Sequence, residues 1–425
     1  MKRLTSLQFM LLPALLVMMV ISCKQEKIVP QNESLSNENS QNSVANKLSS
    51  DIHATGDYIV ISASEKSLPK NLETEIAKSG GIIKRKLNAI GLAFAHSDKT
   101  DFISKASKIS GIRSVIHDLS MNWLPPDKNK SKTAALVSHT PTDFFYPLQW
   151  NMLAIHANDA WGKGYRGKGA TVAVLDEGFY LNHHDIASNI DLNVSTSVVA
   201  GWPLQFQIPG EFSHGTHVAG IVAAAENDYG TVGVAPEAKL MLVRVLTDSG
   251  NGSFGDLITG IYWAATHGAD VINMSLGAYI PHHVQIILSD GTHLNLTNEY
   301  QELLVAMNRS TSYAHQKGAV IVSAAGNEHI DLAHIADYDF YPCGCVNVTG
   351  VSATSPKGWA IDMSTNLDIP TTYTNYGTSD IDFAAPGGDL YPEVSGNCDV
   401  PPISGIPCDV YDLVISPGAV DKKWS

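Results

Sequence analysis

Four apolar runs recur along the second half of the chain and limit the folds open to it. They read ATVAVLD, LMLVRVL, DVINMSLG and AVIVSAAGN, and helical stretches such as FGDLITGIYWAATHG separate them. Near-continuous apolar strands that alternate with helices are typical of a parallel sheet with helices on both faces. We therefore predict an α/β domain over residues 146–425. Its functional groups should lie at the carboxyl ends of the strands.

Residues 53–123 show a different pattern. DYIVISA, AIGLAFAHS and IRSVIHDLSMNWL have the alternation of strands, whereas LPKNLETEIAKSGG and KTDFISKASKISG have the pattern of short helices. This order predicts a small α+β unit ahead of the large domain. Residues 124–145, which include PPDKNKSKTAALVSHTPTD, have loop chemistry and are predicted to be a linker with an exposed processing site.

The first 23 residues form a targeting segment. A basic head precedes an apolar run that ends at Cys23, which indicates a secretory signal. VISC resembles a bacterial lipobox, which predicts lipidation of Cys23 and a lipid anchor on a bacterial membrane, the outer membrane of a diderm cell. Plain secretion and a retained transmembrane helix are the alternatives. Residues 24–52 are rich in Ser, Asn, Gln and Glu and are predicted to be a disordered tether.

The net charge limits the kinds of partner that the chain can bind, and the cysteines indicate the compartment in which it folds. The chain has 42 acidic and 28 basic residues and a net charge of -14, which argues against a nucleic-acid partner. Of the five cysteines, four remain when Cys23 is set aside, and an even number suits an oxidising compartment. Cys398 and Cys408 flank a Pro-rich loop that a disulfide would close, but sequence alone does not fix the pairing.

Three polar residues lie where chemistry is expected. Asp176 in AVLDEG and Asn327 in VSAAGNE follow apolar strands, and His214 in SHGTHVAG starts a helix of small residues. Peptide hydrolysis uses an imidazole as base, a carboxylate that orients it, and an amide that donates to the oxyanion. A helix cap, a turn and a helix start explain each residue taken singly. Together they predict a hydrolytic site.

The motifs VAVLDEG, HGTHVAG, NMSLG and AAGNE resemble those of the subtilisin family of serine proteases. The resemblance spans most of residues 146–388 and implies a serine endopeptidase that cleaves proteins in extended form. It implies Asp176 as the triad aspartate, His214 as the base and Asn327 as the oxyanion amide. Glu177 departs from the family, which usually has Ser or Thr there. It places a carboxylate next to the base, and such a charge raises the pKa of an imidazole.

The same resemblance implies how the site binds its partners. Ser275, Leu276 and Gly277 would form a groove strand that pairs with substrate, and NGSFG at residues 251–255 the opposite wall. Residues 53–123 would be a propeptide that assists folding and inhibits the groove. No cofactor is implied as obligatory. A structural calcium ion is implied with Asp185 and Asn227 as ligands, and a plain solvated loop is the alternative.

The nucleophile of the family lies in GTSMA, at the start of a helix. Ser379 follows Gly-Thr, but DIDFAAPGG after it has a strand-and-loop pattern, and Ser379 precedes AAPGG instead of following it. Ser395, Ser404 and Ser416 lie in Gly/Pro-rich surroundings, and Ser425 is the last residue. We expect the nucleophile beyond Ser425, so that the 425-residue chain is inactive. A catalytically dead module that binds peptides is the alternative.

Overall fold

The computed structural model describes residues 52–124, 143–282, 285–287, 293–295 and 297–418. The predicted signal peptide with Cys23, the tether up to residue 51, linker residues 125–142 and residues 419–425 lie outside this part. Within it, no helix is long and apolar enough to span a bilayer.

Residues 53–122 fold as four antiparallel strands and two short helices, in the sheet order β2-β3-β1-β4. The sequence pattern predicted all of these elements except β2. The elements are β1 (His53–Ser62), α1 (Leu72–Lys78), β2 (Ile82–Leu87), β3 (Leu92–His96), α2 (Phe102–Ala106) and β4 (Ile112–Asn122).

Both faces of the second half of β1 are buried. Val60 packs with Ile76 of α1 and Phe102 of α2 in a local core. Ile59 and Ile61 point the other way and belong to the main core of the large domain. Because successive side chains alternate across a strand, the run YIVIS can serve both cores at once.

The large domain is built on the parallel sheet that the apolar runs predicted. Its strand order is β16-β15-β13-β9-β5-β7-β6, with β17 also paired to β15, and only β16 runs antiparallel among these described strands. The strands are β5 (Thr171–Asp176), β6 (Thr196–Ser197), β7 (Lys239–Arg244), β9 (Val271–Met274), β13 (Val320–Ala324), β15 (Val348–Ser355), β16 (Ile369–Pro370) and β17 (Phe383–Pro386).

Helices cover the two faces of the sheet unequally. One helix packs on the face formed by Val172, Val174 and Leu240, and two longer helices pack on the opposite face with Leu175 and Ile272. The helices of the domain are α3 (Trp150–Ala154), α4 (Ala157–Gly162), α5 (His214–Ala223), α6 (Phe254–Thr266) and α7 (Thr297–Gln316). Helix α5 is the one on the first face, and α6 and α7 lie on the second.

Short strands make up the remaining structure. They are β8 (Asn251–Ser253), β10 (Ala278–Pro281), β11 (Gln285–Ile287), β12 (His293–Asn295), β14 (Tyr338–Tyr341), β18 (Asn397–Val400) and β19 (Ile403–Pro407). A disulfide between Cys398 and Cys408 closes the β18–β19 hairpin, which is the pairing that the spacing suggested. Cys343 and Cys345 are buried free thiols.

Candidate active site

Three neighbouring parallel strands bring the predicted residues to one edge of the sheet. The order β13-β9-β5 places the ends of these strands side by side. Asp176 is the last residue of β5, Ser275 follows β9, and Asn327 follows β13 by three residues. The carboxyl ends of parallel strands share an edge, so three of the predicted motifs meet there.

Asp176 and His214 form a direct pair. His214 is the first residue of α5, and its Nδ1 lies 2.9 Å from both carboxylate oxygens of Asp176. The Asp176 side chain is fully buried, whereas 28% of the His214 side chain is exposed. A buried carboxylate at this position fixes the orientation of the imidazole and stabilises its cation, while part of the ring stays accessible.

The start of α5 is tied to the loop that follows β5. Ser213 caps the helix by accepting the N–H of Thr216 and donates its own hydroxyl to the carbonyl of Gly178. The hydroxyl of Thr216 accepts the N–H of Tyr180. Because His214 lies inside this set of bonds, the position of its ring relative to β5 is set by the local backbone.

Glu177 joins the same set of contacts. Its Oε1 accepts the backbone N–H of His214 at 2.7 Å, and only 4% of the residue is exposed. Burial, with the nearby charge of Asp176, raises the pKa of Glu177 to about 8. The sequence marked this residue as a departure from the family, and the structure shows that it touches the predicted base.

Asn327 lies on a loop held by a network that the sequence analysis missed. The carboxylate of Glu328 accepts the N–H of Asn327 at 2.8 Å and the hydroxyl of Tyr279 at 2.9 Å. Asn375 donates to this carboxylate and to the carbonyl of Ala325. Positions 279, 328 and 375 are far apart in the sequence, and no spacing links them. Only the folded chain shows that they support the same loop.

The predicted groove walls face each other across β4. The N–H of Gly277 donates to the carbonyl of Trp123 at 3.0 Å, while β8 pairs antiparallel with β4 so that Gly252 lies opposite Met121. Leu276 is only 2% exposed and belongs to the main core, so its side chain anchors this wall. The end of the small N-terminal unit therefore occupies the space between the two walls.

Trp123 fills part of that space. It is 1% exposed, and its indole N–H donates to the carbonyl of Gly252 at 2.9 Å. Its ring lies edge-on to Phe254, with 4.9 Å between centroids. The backbone contacts and this buried ring together fix the segment in the groove.

The serines weighed as nucleophiles lie in different settings. β17 and not a helix comes after Ser379, and Ser395 lies just before β18. The hydroxyl of Ser416 donates to the backbone carbonyl of His217, one turn into α5. Ser404 lies within β19, and Ser425 is outside the described residues.

The predicted calcium ligands lie in one loop region. The buried carboxylate of Asp185 accepts the N–H and hydroxyl of Thr231 at 2.9 and 3.0 Å. The Oδ1 of Asn227 is buried and has no hydrogen-bond partner in the described structure. A carboxylate and an amide oxygen are ligands that suit a hard cation such as calcium. No group of three or more His, Cys, Asp or Glu side chains within reach of one ion occurs in the part of the chain described.

The chain is similar to known proteases. The subtilase family (peptidase S8) matches residues 167–412. Thermitase from Thermoactinomyces vulgaris is 32% identical over 258 residues, which are 60% of this chain and 75% of thermitase. The minor extracellular protease Epr of Bacillus subtilis is 30% identical over 243 residues, which are 57% of this chain but 30% of Epr.

A solved structure gives the same picture at the level of the fold. The epidermin leader peptide processing serine protease from Staphylococcus aureus aligns with a TM-score of 0.57. The alignment covers 78% of this chain and 75% of that one at 21% identity, so it supports the fold alone.

Proposed function

This chain belongs to the subtilase family of serine peptidases, and we propose that it is an exported endopeptidase of the subtilisin type. The observation that carries the proposal is the contact of the His214 imidazole with the buried Asp176 carboxylate at 2.9 Å. In this role His214 takes the proton of a serine hydroxyl, and Asp176 stabilises the resulting imidazolium. The side-chain amide of Asn327 donates to the oxyanion that forms on the substrate carbonyl.

Substrates are protein segments in extended form. Gly277 and the strand β8 already pair with the backbone of the N-terminal unit from both sides, at Trp123 and at β4. An extended substrate would take the same hydrogen bonds by strand addition. Backbone pairing of this kind accepts many sequences, which suits an endopeptidase.

Residues 53–123 act as a propeptide that blocks the groove. Besides β4, the unit docks on α7 through Arg113, which pairs with Glu302 at 2.9 Å, and through His117, whose Nδ1 lies 2.9 Å from Glu299. Arg309 of α7 in turn donates to backbone carbonyls of this unit, including that of Ser62. Cleavage within residues 124–145 would separate the unit from the domain that it covers.

Two further assignments complete the proposal. Asp185 and Asn227 hold a structural calcium ion, supported by the buried amide oxygen described above. Cys23 carries the lipid that anchors the protein to the bacterial membrane, an assignment that rests on the sequence motif VISC alone.

The test of the proposed activity starts at the gene. The locus is sequenced beyond the codon for Ser425, and the encoded chain is expressed with any in-frame continuation. We expect a GTSMA segment and hydrolysis of labelled casein, with His214→Ala and Asp176→Asn each lowering kcat by at least about 10³-fold. Asn327→Ala should lower kcat by about 10²–10³-fold.

The alternative gives a different result. If translation stops after Ser425 and the 425-residue product leaves casein intact, the peptidase proposal fails. The groove would then serve a catalytically inactive protein that binds peptides, and removal of residues 53–123 by limited proteolysis should create a measurable peptide-binding site.

A further inference from the structure

Glu177 is a buried carboxyl that the proposed mechanism does not use. It lies directly after Asp176, and its own backbone N–H donates to Asp176 Oδ1 at 2.8 Å. Its side chain accepts the backbone N–H of His214 at 2.7 Å. One residue is therefore hydrogen-bonded to both members of the Asp176–His214 pair.

The helix start explains why the second bond matters. The first N–H groups of a helix have no partner within the helix and need acceptors from outside. Ser213 supplies one acceptor to Thr216, and Glu177 supplies another to His214. A carboxyl group at this end also faces the positive end of the α5 dipole, which favours its anionic form. Loss of this acceptor would leave the first residue of α5 free to shift, and that residue carries the imidazole.

The surroundings of Glu177 bring its pKa close to physiological pH. Burial and the charges of Asp176 and Asp248 raise the pKa of Glu177 to about 8, and His214 acts in the opposite direction. Arg244 is also nearby, but its guanidinium is bonded to Asp248 at 2.6 Å and to the carbonyls of Pro203 and Leu246. The arginine is thus held by other partners.

We propose that Glu177 is a positioning residue for His214: its carboxyl fixes the start of α5 through the backbone N–H of His214, and its charge acts on the imidazole. The inference rests on the proposed function, in which His214 is the base. It adds that two carboxyl groups with different tasks contact the residue that carries the base. Asp176 orients the ring through Nδ1, and Glu177 holds the backbone of the same residue.

The test uses the full 425-residue chain and does not require catalysis. Amide hydrogen exchange is measured at His214 by mass spectrometry in the wild type, Glu177→Leu and Glu177→Gln. We expect exchange at His214 to be at least about tenfold faster in Glu177→Leu, because the N–H loses its acceptor. The amide oxygen of Glu177→Gln should restore slow exchange because it still accepts the N–H.

A second measurement follows the protonation of His214 and its coupling to Glu177. The chain is labelled with ¹³C-histidine, and the Cε1–H signal of His214 is followed across the range from weakly acidic to alkaline pH, assigned by its loss in His214→Gln. Two coupled groups give two steps. We expect both steps in the wild type and a single step in Glu177→Gln.

Asp191→Leu is the matched control. It also removes a carboxylate that accepts a backbone N–H, that of Asn193 at 3.0 Å, and it leaves the bond between Glu177 and His214 in place. Exchange at Asn193 should become faster, while His214 keeps slow exchange and both titration steps.

Slow exchange at His214 in Glu177→Leu, or a single step in the wild type, would overturn the inference. If the Leu variant does not fold, exchange at His214 in Glu177→Ala, which also lacks the acceptor, decides in its place. Neither readout depends on a nucleophile, so a failure here is distinct from a failure to hydrolyse casein.

Discussion

Asn375 supports the loop that carries Asn327 with a single fully buried side chain. Its Oδ1 accepts the N–H groups of Glu328 and Ile330, and its Nδ2 donates to the carbonyl of Ala325. The loop follows β13 without a helix, so its backbone groups have no regular partners. The Asn375 carboxamide provides the hydrogen bonds that a helix or a strand would otherwise provide to this backbone.

Replacing Asn375 by Ala should therefore lower the free energy of unfolding by roughly 1–3 kcal/mol, because two backbone N–H groups lose their acceptor. Urea unfolding of the whole chain measures the change. Asn366→Ala is the control, since Asn366 is exposed and its side chain bonds to Asp368, two residues away. Equal stability of the two variants would show that the loop does not depend on Asn375.

The proposed calcium site can also be tested at a single residue, Asn227. If Asn227 Oδ1 is a ligand, free calcium should stabilise the chain by about 3 kcal/mol when it exceeds the dissociation constant roughly 100-fold. The melting temperature should fall on addition of EDTA and recover with calcium but not with magnesium. Asn227→Ala should melt at the same temperature with and without calcium, while Asn366→Ala responds like the wild type. If EDTA does not change the melting temperature of the wild type, the calcium assignment is wrong.

Asp176 and His214 could be predicted as site residues because each has a local signature, an apolar strand before one and a run of small helical residues after the other. Their contact follows from the sheet edge. Asn375 and Tyr279 have no such signature. They contribute through one hydrogen-bonded cluster whose members come from three distant segments, and a single sequence does not record such proximity.

At the level of elements, β4 lets the sheet of the N-terminal unit continue into the large domain. It is the edge strand of the N-terminal unit and pairs with β8 of the large domain. The carboxyl of Asp118 in β4 accepts the N–H of Gly255 at 2.9 Å, in the first turn of α6. Strand pairing and a cap on the helix therefore hold the same interface.

This interface should depend on pH through Asp118. Burial raises its pKa to about 7, against about 3.9 in an unfolded chain. At a pH below both values the carboxyl is protonated in the folded and the unfolded chain alike. As the pH rises towards neutrality the unfolded carboxyl ionises first, and the folded chain loses stability relative to it.

Asp118→Asn cannot ionise and still presents an oxygen to Gly255, so near the unfolded pKa of about 4 it should be close to the wild type in stability. At slightly alkaline pH it should be more stable by roughly 2–4 kcal/mol in urea unfolding. Asp98→Asn, at a side chain that is 92% exposed, controls for a general effect of removing charge. A difference between Asp118→Asn and the wild type that does not change with pH would contradict this account.

Periodicity identified the central strands of the parallel sheet and missed many elements with a less regular composition. β2 reads IIKRKL and has only one buried residue at its end, so its alternation resembled a polar loop. The pairing of β4 with β8 was also not predictable as a register, because Asn122 and Asn251 lie far apart in the sequence. The resemblance to subtilisin predicted the two groove walls. Only the fold shows that β4 and Trp123 lie between them.

At the scale of the whole molecule, the main feature is that helices cover the two faces of the central sheet unequally. Helix α5 packs on β5 and β7, and the same face continues across β9, β13, β15 and β17. Along it, Val271 pairs with Val320, and Val351 pairs with Phe383. Val320 is 55% exposed and Phe383 is 66% exposed.

Exposed apolar side chains on one sheet face promote association, so the 425-residue chain should bind the dye ANS, and its light scattering should rise with protein concentration. The double variant Val320→Thr, Phe383→Thr should at least halve both signals, because it interrupts the face with hydroxyl groups. Tyr165→Ser is the control, since Tyr165 is 73% exposed but precedes β5 and is not part of this sheet face. ANS fluorescence and light scattering measure the outcome. A monomeric wild-type chain that does not bind ANS would show that this face does not promote association in solution.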